Sequence, residues 1–294
     1  DKNTSKYNII KTVNQNKSSD IIKFGNDFMK GFLFDENENA IDIQITALRV
    51  ILQIYNVFSS SNEGNLRLFQ GKTEAKQLKL FEDEFLTEQN QYVRITIKNS
   101  MISPDQNHTH IENAMAFLTD YKRDWHTSYN SSGKKIKSYG GLITMPSYED
   151  KGRTTFLINS FWLKQIIDID DYTYMLLKTA YKISSAKSIL FLVWLGRVNK
   201  KEGTRISLEK LNRRFGLNYK TTKEICDQFL RPMKKVFDLT SMESFNFSRS
   251  GNIISIMPYT HAVALADNTE DVKDTLMTIY KLFYYKKRHN LEGV

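Results

Sequence analysis

Residues Arg205–Tyr259 read RISLEKLNRRFGLNYKTTKEICDQFLRPMKKVFDLTSMESFNFSRSGNIISIMPY. The order is a short amphipathic helix, a tight turn, a basic helix and a two-stranded hairpin, the layout of a winged helix-turn-helix. Leu208, Leu211 and Phe215 recur at three- and four-residue spacing. This gives the first helix one buried stripe and is expected to leave Lys210, Arg213 and Arg214 facing water. Gly216 supplies the left-handed backbone that ends the helix. A second stripe, Ile225, Phe229, Met233, Val236 and Phe237, makes the next helix amphipathic. Its leading edge, Asn218, Tyr219, Lys220, Thr221, Thr222 and Lys223, is entirely polar or aromatic, as an edge that enters a major groove must be.

Charge agrees with that placement. Between Gly196 and Thr240 there are twelve Lys or Arg against five acids, a net +7 out of the chain's formal +9. A local cationic excess beside such a pattern is the footprint of phosphate contact, because each neutralised phosphate releases condensed counterions. Arg and Lys can bond guanine acceptors, Asn218 can pair with adenine and Thr methyls can touch thymine, so Asn218–Lys223 can read bases. Arg213, Arg214, Lys234, Lys235 and the hairpin tip Ser248, Arg249 and Ser250 suit phosphates. Arg231 and, in the first half of the chain, Lys122 and Arg123 complete the DNA-binding candidates. Packing or capping is the alternative for Tyr219 and Thr222, and a solvated basic face is the alternative for the charge run.

The bulk numbers narrow the class. At 294 residues the chain can bury two cores of ordinary size. Hydrophobic content of 40% and charged content of 26% are those of a soluble globular protein. The longest apolar run, Ile189–Leu195, is too short to span a bilayer. The polar start DKNTSKYNIIKTVNQNKSSD lacks the apolar centre of a secretory signal, so a cytoplasmic location is expected. Cys226 is the lone cysteine; it cannot form an internal disulfide, and a reducing compartment fits. The pI of about 9.3 favours an anionic partner, nucleic acid before membrane.

Along the chain, residues 1–20 are Asn-, Lys- and Ser-rich and read as a loose arm. Ile43–Phe58 is the first strong helix, Ser59–Gly64 a loop and Tyr92–Ile97 a half-buried strand. A helix follows from Ile111 to Trp125, with Lys122, Arg123 and His126 near its end. Ser138–Ile143 and Thr154–Ile158 form strands around the polar SYEDKGR connection, Ser147–Arg153. The order of helix 43–58, helix 111–125 and hairpin 138–158 is repeated by helix 185–196, helices 207–215 and 219–237, and hairpin 244–257. The expected class is therefore α+β, with two tandem winged-helix domains and a C-terminal helix. The expected division is an arm over 1–20, a first domain over 21–165 and a second over 166–262. The remainder, 263–294, holds a helix from Glu270 to Arg288 with acids at its start and cations at its end, as the helix dipole favours.

The run KLNRRFGLNYKTTKEICDQFLRPMKKVFDLTS, followed by strands ending in ISIMPY, resembles the C-terminal winged helix of the initiator Rep proteins of iteron-type plasmids. Leu230, Arg231 and Pro232, then Asp238, Leu239 and Thr240, carry the resemblance. It implies sequence-specific binding of double-stranded DNA at repeated origin sites, opening of the adjacent AT-rich duplex and recruitment of host replication proteins. Homodimerisation through the first domain and repression of the protein's own promoter are also implied.

Two rival readings stand beside it. A metal-dependent rolling-circle nicking endonuclease needs two histidines flanking an apolar residue on a buried strand, and a tyrosine nucleophile near a lysine. His108-Thr109-His110 and Tyr174 with Lys178 have that order, but Thr109 is polar and SPDQN precedes it as a loop. The other rival is a transcriptional regulator with the same winged helices. One cysteine and five histidines do not give zinc spacing, and no Walker-type glycine loop occurs, so neither metal nor nucleotide cofactor is expected. Asp168, Asp170 and Asp171 read more simply as caps than as metal ligands. The expectation is a binding protein, not an enzyme.

Overall fold

The computed structural model describes residues 8–14, 21–60, 69–70, 91–129, 133–169, 172–176, 185–241 and 243–260. The expectations for the rest of the arm, for most of the segment 61–90, for Asp170, Asp171 and Lys178, and for the helix from Glu270 to Arg288 lie outside the described residues. The chain divides into two compact units. One comprises Asp1–Arg197 with Glu209–Asn218, the other Val198–Leu208 with Tyr219–Val294.

The first unit opens with β1 (Asn8–Asn14), β2 (Ile21–Gly25), α1 (Asn26–Leu33) and α2 (Ile45–Ser60). The short β3 (Phe69–Gln70), then β4 (Gln91–Lys98), α3 (Asn99–Ile102) and α4 (His108–Asp120) follow. Next come β5 (Asp124–Tyr129), β6 (Lys135–Gly140), β7 (Ile143–Tyr148), β8 (Arg153–Asn159) and α5 (Ser160–Ile167). The unit ends with β9 (Asp168–Ile169), β10 (Tyr172–Leu176), α6 (Ala186–Leu195) and most of α7 (Leu208–Phe215). Its main sheet has the order β1-β4-β8-β7. β1 runs parallel to β4, so residues 8–14, expected within a loose arm, are paired as a strand. β4, β8 and β7 pair antiparallel, as do β10 with β2 and β5 with β6.

α2 is buried all round over residues 46–57: Ala47, Leu48, Ile51, Leu52, Ile54 and Tyr55 are each 0% exposed. Its polar residues Gln53 and Asn56 are buried too and bond each other, Asn56 Nδ2 donating to Gln53 Oε1 at 3.0 Å. A buried amide pair is tolerable only when its polar atoms are satisfied. α4 buries Ile111, Ala114, Met115 and Leu118, and Asn107 caps it by accepting from the His110 amide at 3.2 Å. The expected helix to Trp125 stops at Asp120. Lys122 takes φ 53°, and Trp125 enters β5 opposite Tyr139. α7 buries Leu208, Leu211 and Phe215 and ends at Gly216, φ +57°. There the Leu217 amide reaches back to the Asn212 carbonyl at 2.8 Å, the closing bond of a left-handed cap.

The second unit is built on β11 (Thr204–Ser207), β12 (Glu243–Ser250) and β13 (Ile253–Thr260), in the order β11-β13-β12 and wholly antiparallel. A continuous helix lies between β11 and β12 in the chain: α8 (Thr222–Ile225), a π-turn (Cys226–Leu230) and α9 (Arg231–Thr240). The π-turn has a local cause. Pro232 has no amide to offer the carbonyl four residues back, and the Arg231 amide instead bonds the Cys226 carbonyl five residues back, so the helix passes the proline on a widened turn. Ile225, Phe229, Leu230, Met233 and Phe237 are buried with Phe245, Ile254 and Ile256; Phe237 meets Phe245 edge-on at 6.2 Å. Across both units the described residues form a mixed α/β protein in which antiparallel pairing predominates, consistent with the α+β class.

Candidate nucleic-acid interface

The second unit joins the start of its helix to the tip of its hairpin. Thr221 caps α8 by accepting from the Glu224 amide at 3.1 Å, and the Glu224 carboxylate accepts from the Lys220 amide at 2.9 Å. The T-x-x-E spacing allows both bonds, the carboxylate reaching the amide one residue before the N-cap. Thr222 points the other way: it is buried, and its hydroxyl donates to the Gly251 carbonyl at 2.9 Å. Gly251 and Asn252 form the two-residue turn between Ser250 and Ile253, and Gly251 supplies its φ of +56°. The hairpin tip is thereby held to the first turn of the helix.

Between them runs a groove of about 440 Å³ whose rim carries Lys223, Arg231, Ser248 and Arg249 above Cys226 and Phe247. Lys223, Arg231, Ser248 and Arg249 are exposed. Asp227 also lines the groove and holds Arg231 through a 2.6 Å ion pair. Burial pushes the Cys226 thiol up, against the pull of Arg249 and Arg231, so the floor is uncharged at neutral pH. A concave cationic surface with the Ser248 hydroxyl at its rim and an apolar floor suits an anionic backbone passing between helix and hairpin.

The predicted candidates separate into exposed and structural groups. Lys220, Thr221, Lys223, Lys235, Ser250 and Asn218 are exposed, Asn218 belonging to the first unit. Tyr219 is half-buried, 6.4 Å from the Phe229 ring. Arg213 is exposed and paired with Glu209 at 3.3 Å. Arg214 does not face water. Its side chain is 7% exposed, donates to Glu38 at 2.8 Å and lies over the Trp194 ring at 5.4 Å, so it is a tie within the first unit. Lys234 is half-buried, bonded to Asp238 and to the Tyr259 hydroxyl, each at 2.7 Å. In the first unit, Lys122 donates to the Gly31 carbonyl and lies near the Phe32 and Tyr121 rings; burial lowers its pKa. Arg123 pairs with Asp120 at 3.1 Å.

Sequence reasoning missed the acids that tie these cations. Asp238 accepts from Lys234, from Ser244 at 2.5 Å and from Tyr259 at 2.7 Å, fastening α9 to both hairpin strands. Lys200 likewise pairs with Glu243 at 2.7 Å. The i,i+4 spacing of Asp227 with Arg231 and of Lys234 with Asp238 was the available signal. His108 and His110 begin α4 and are both exposed, and among the described residues no group of three or more His, Cys, Asp or Glu could hold a metal. No helix among them is long and apolar enough to cross a membrane. No protein-family model matches the chain, and no curated protein matches it at a significant level.

Proposed function

We propose that the protein binds double-stranded DNA sequence-specifically through its second unit and initiates plasmid replication at repeated origin sites. In this reading the helix from Thr222 to Thr240 and the strands β11, β12 and β13 are the second-unit part of a winged helix, and α7 is its preceding helix in the chain. The earlier helices and hairpins form a second copy of that plan. The helix start enters the major groove with Lys220 and Lys223 toward base edges, and the β12–β13 turn lies along the flanking backbone. The single observation that carries the duplex reading is the groove in which Lys223 on the helix and Arg249 on the hairpin share one rim.

The replication role is supported by the resemblance carried by Leu230-Arg231-Pro232 and Asp238-Leu239-Thr240. Homodimerisation, promoter repression and host replication partners are proposed on the same footing. The nicking alternative has less support, because His108 and His110 sit at an exposed helix start instead of on a buried strand.

Footprinting tests the proposal. An initiator protects several direct repeats beside an AT-rich tract and distorts that tract. Protection of one inverted repeat at a promoter would make the protein a regulator, and a tyrosine-linked 5′ product on single-stranded origin DNA with Mn²⁺ would make it a nuclease.

A further inference from the structure

The hairpin of β5 and β6 in the first unit has two unlike faces. Its register sets Trp125 opposite Tyr139, Thr127 opposite Lys137 and Tyr129 opposite Lys135. Side chains alternate across a strand, and directly opposed residues share a face, so these six lie together. All six are exposed, with Trp125 at 62%, Tyr129 at 57% and Tyr139 at 45%. The other face is anchored. Ile136 and Ser138 are buried, His126 stacks on Phe161 at 4.9 Å and meets Trp162 edge-on at 4.7 Å, and its Nε2 lies 3.0 Å from the Gly140 carbonyl. The aromatic face therefore sits on a fixed base.

Single exposed aromatics are ordinary, but three on one face of one hairpin form a patch that soluble proteins rarely leave without a partner. Its charge identifies the partner. Lys135 and Lys137 alternate with the rings, and neither has an ion pair among the described residues. The Arg123 guanidinium lies 5.7 Å from the Tyr139 ring. Asp124 lies on the opposite face by alternation, and its carboxylate accepts from the Trp125 amide at 2.7 Å. A protein-binding patch tends to exclude lysine from its centre. A surface that alternates rings with cations instead matches a polymer that alternates planar bases with phosphates. Trp125 and Tyr129 are four residues apart on one strand, roughly 13 Å, giving two separate stacking stations. A duplex hides its base faces and cannot use them.

We propose that this face binds single-stranded nucleic acid, with one base on the Trp125–Tyr139 pair, whose ring centroids are 5.4 Å apart, another on Tyr129, and phosphates on Lys135 and Lys137. The site goes beyond the duplex reading: it lies in the other unit and shares no residue with the groove.

Tryptophan emission tests it on the full chain. Of the three tryptophans, Trp162 and Trp194 are each 6% exposed, so Trp125 is the indole a ligand reaches. Titration with oligothymidylate is expected to quench the emission. Trp125→Ala removes the quenching and weakens binding about tenfold, Tyr129→Ala weakens it by a similar factor, and Trp125→Phe restores most of the affinity. Lys135→Ala with Lys137→Ala lowers the salt slope by about 1.4. Affinity for duplex DNA stays unchanged in all these variants. Oligouridylate run in parallel assigns the natural ligand to DNA or RNA. Absence of quenching, or unchanged single-strand affinity in Trp125→Ala and Tyr129→Ala, overturns the proposal. So does a concentration-dependent dimer that Trp125→Ala dissolves, which gives the face to a second copy of the chain.

Discussion

The Thr222 hydroxyl donates to the Gly251 carbonyl at 2.9 Å, tying the first turn of a helix to the tip of a hairpin 29 residues later. Lys223, the residue after Thr222, and Arg249, two residues before Gly251, line one groove, so this bond sets the spacing of the two cationic edges. Thr222→Val keeps the shape and removes the donor. Gly251 is exposed, so water can satisfy its carbonyl. The expected loss of stability is therefore only about 1 kcal/mol, read as a shift in the urea midpoint. Duplex affinity should fall further than that loss implies, because helix and hairpin no longer hold one spacing.

Lys220 and Lys223 are the exposed cations at the helix start. If they read bases, Lys220→Ala or Lys223→Ala costs about 1–3 kcal/mol of binding and alters sequence preference. Arg249→Ala is expected to weaken all duplexes alike and to lower the salt slope by about 0.9, one phosphate's worth. Salt titrations against cognate and scrambled duplexes measure both. Unchanged affinity in all three variants would remove DNA from this groove.

Arg214→Ala tests a structural role. The guanidinium packs on Trp194 and pairs with Glu38, while Glu38 is itself part-exposed and can be rehydrated. The loss is therefore mainly the packed stem and its stacking, about 2 kcal/mol in a denaturation midpoint. Duplex affinity of the folded fraction should not change.

The stripe Leu208, Leu211 and Phe215, the Gly216 stop and the strand pair around Gly251 were all legible, because each is a local pattern that local geometry obeys. The end of α4 was not. Tyr121 and Trp125 continue its apolar spacing, and only cross-strand pairing with β6, fourteen residues on, turns Trp125 into a strand residue. Arg214 misled for a related reason. It lies three residues past Leu211, on the flank of the stripe, and its fate is decided by Glu38, 176 residues earlier. The parallel pairing of β1 with β4 is equally non-local. The groove was partly legible: the charge run contains its helix side, Lys223 and Arg231, but did not show which cations Asp227, Asp238 and Glu243 would already hold.

Asp238 makes the second unit's stability depend on pH. Burial opposes its ionisation, but hydrogen bonds from Lys234, Ser244 and Tyr259 outweigh that and hold its pKa below the ordinary 3.8. A carboxyl with a depressed folded pKa binds its proton more weakly in the native state. Its contribution is therefore complete above about pH 3.8 and is lost as pH falls through the lower folded value. Lys234 has the opposite sign. Burial lowers its pKa, but bonds to Asp238 and Tyr259 raise it net, so its contribution is present below the ordinary 10.5 and lost as pH rises through the higher folded value. Urea midpoints of the wild type should fall at both extremes. Asp238→Asn should flatten the acid limb and weaken the alkaline one, since it removes a carboxylate partner of Lys234. An acid limb unaltered by Asp238→Asn would place the acid sensitivity at another carboxylate.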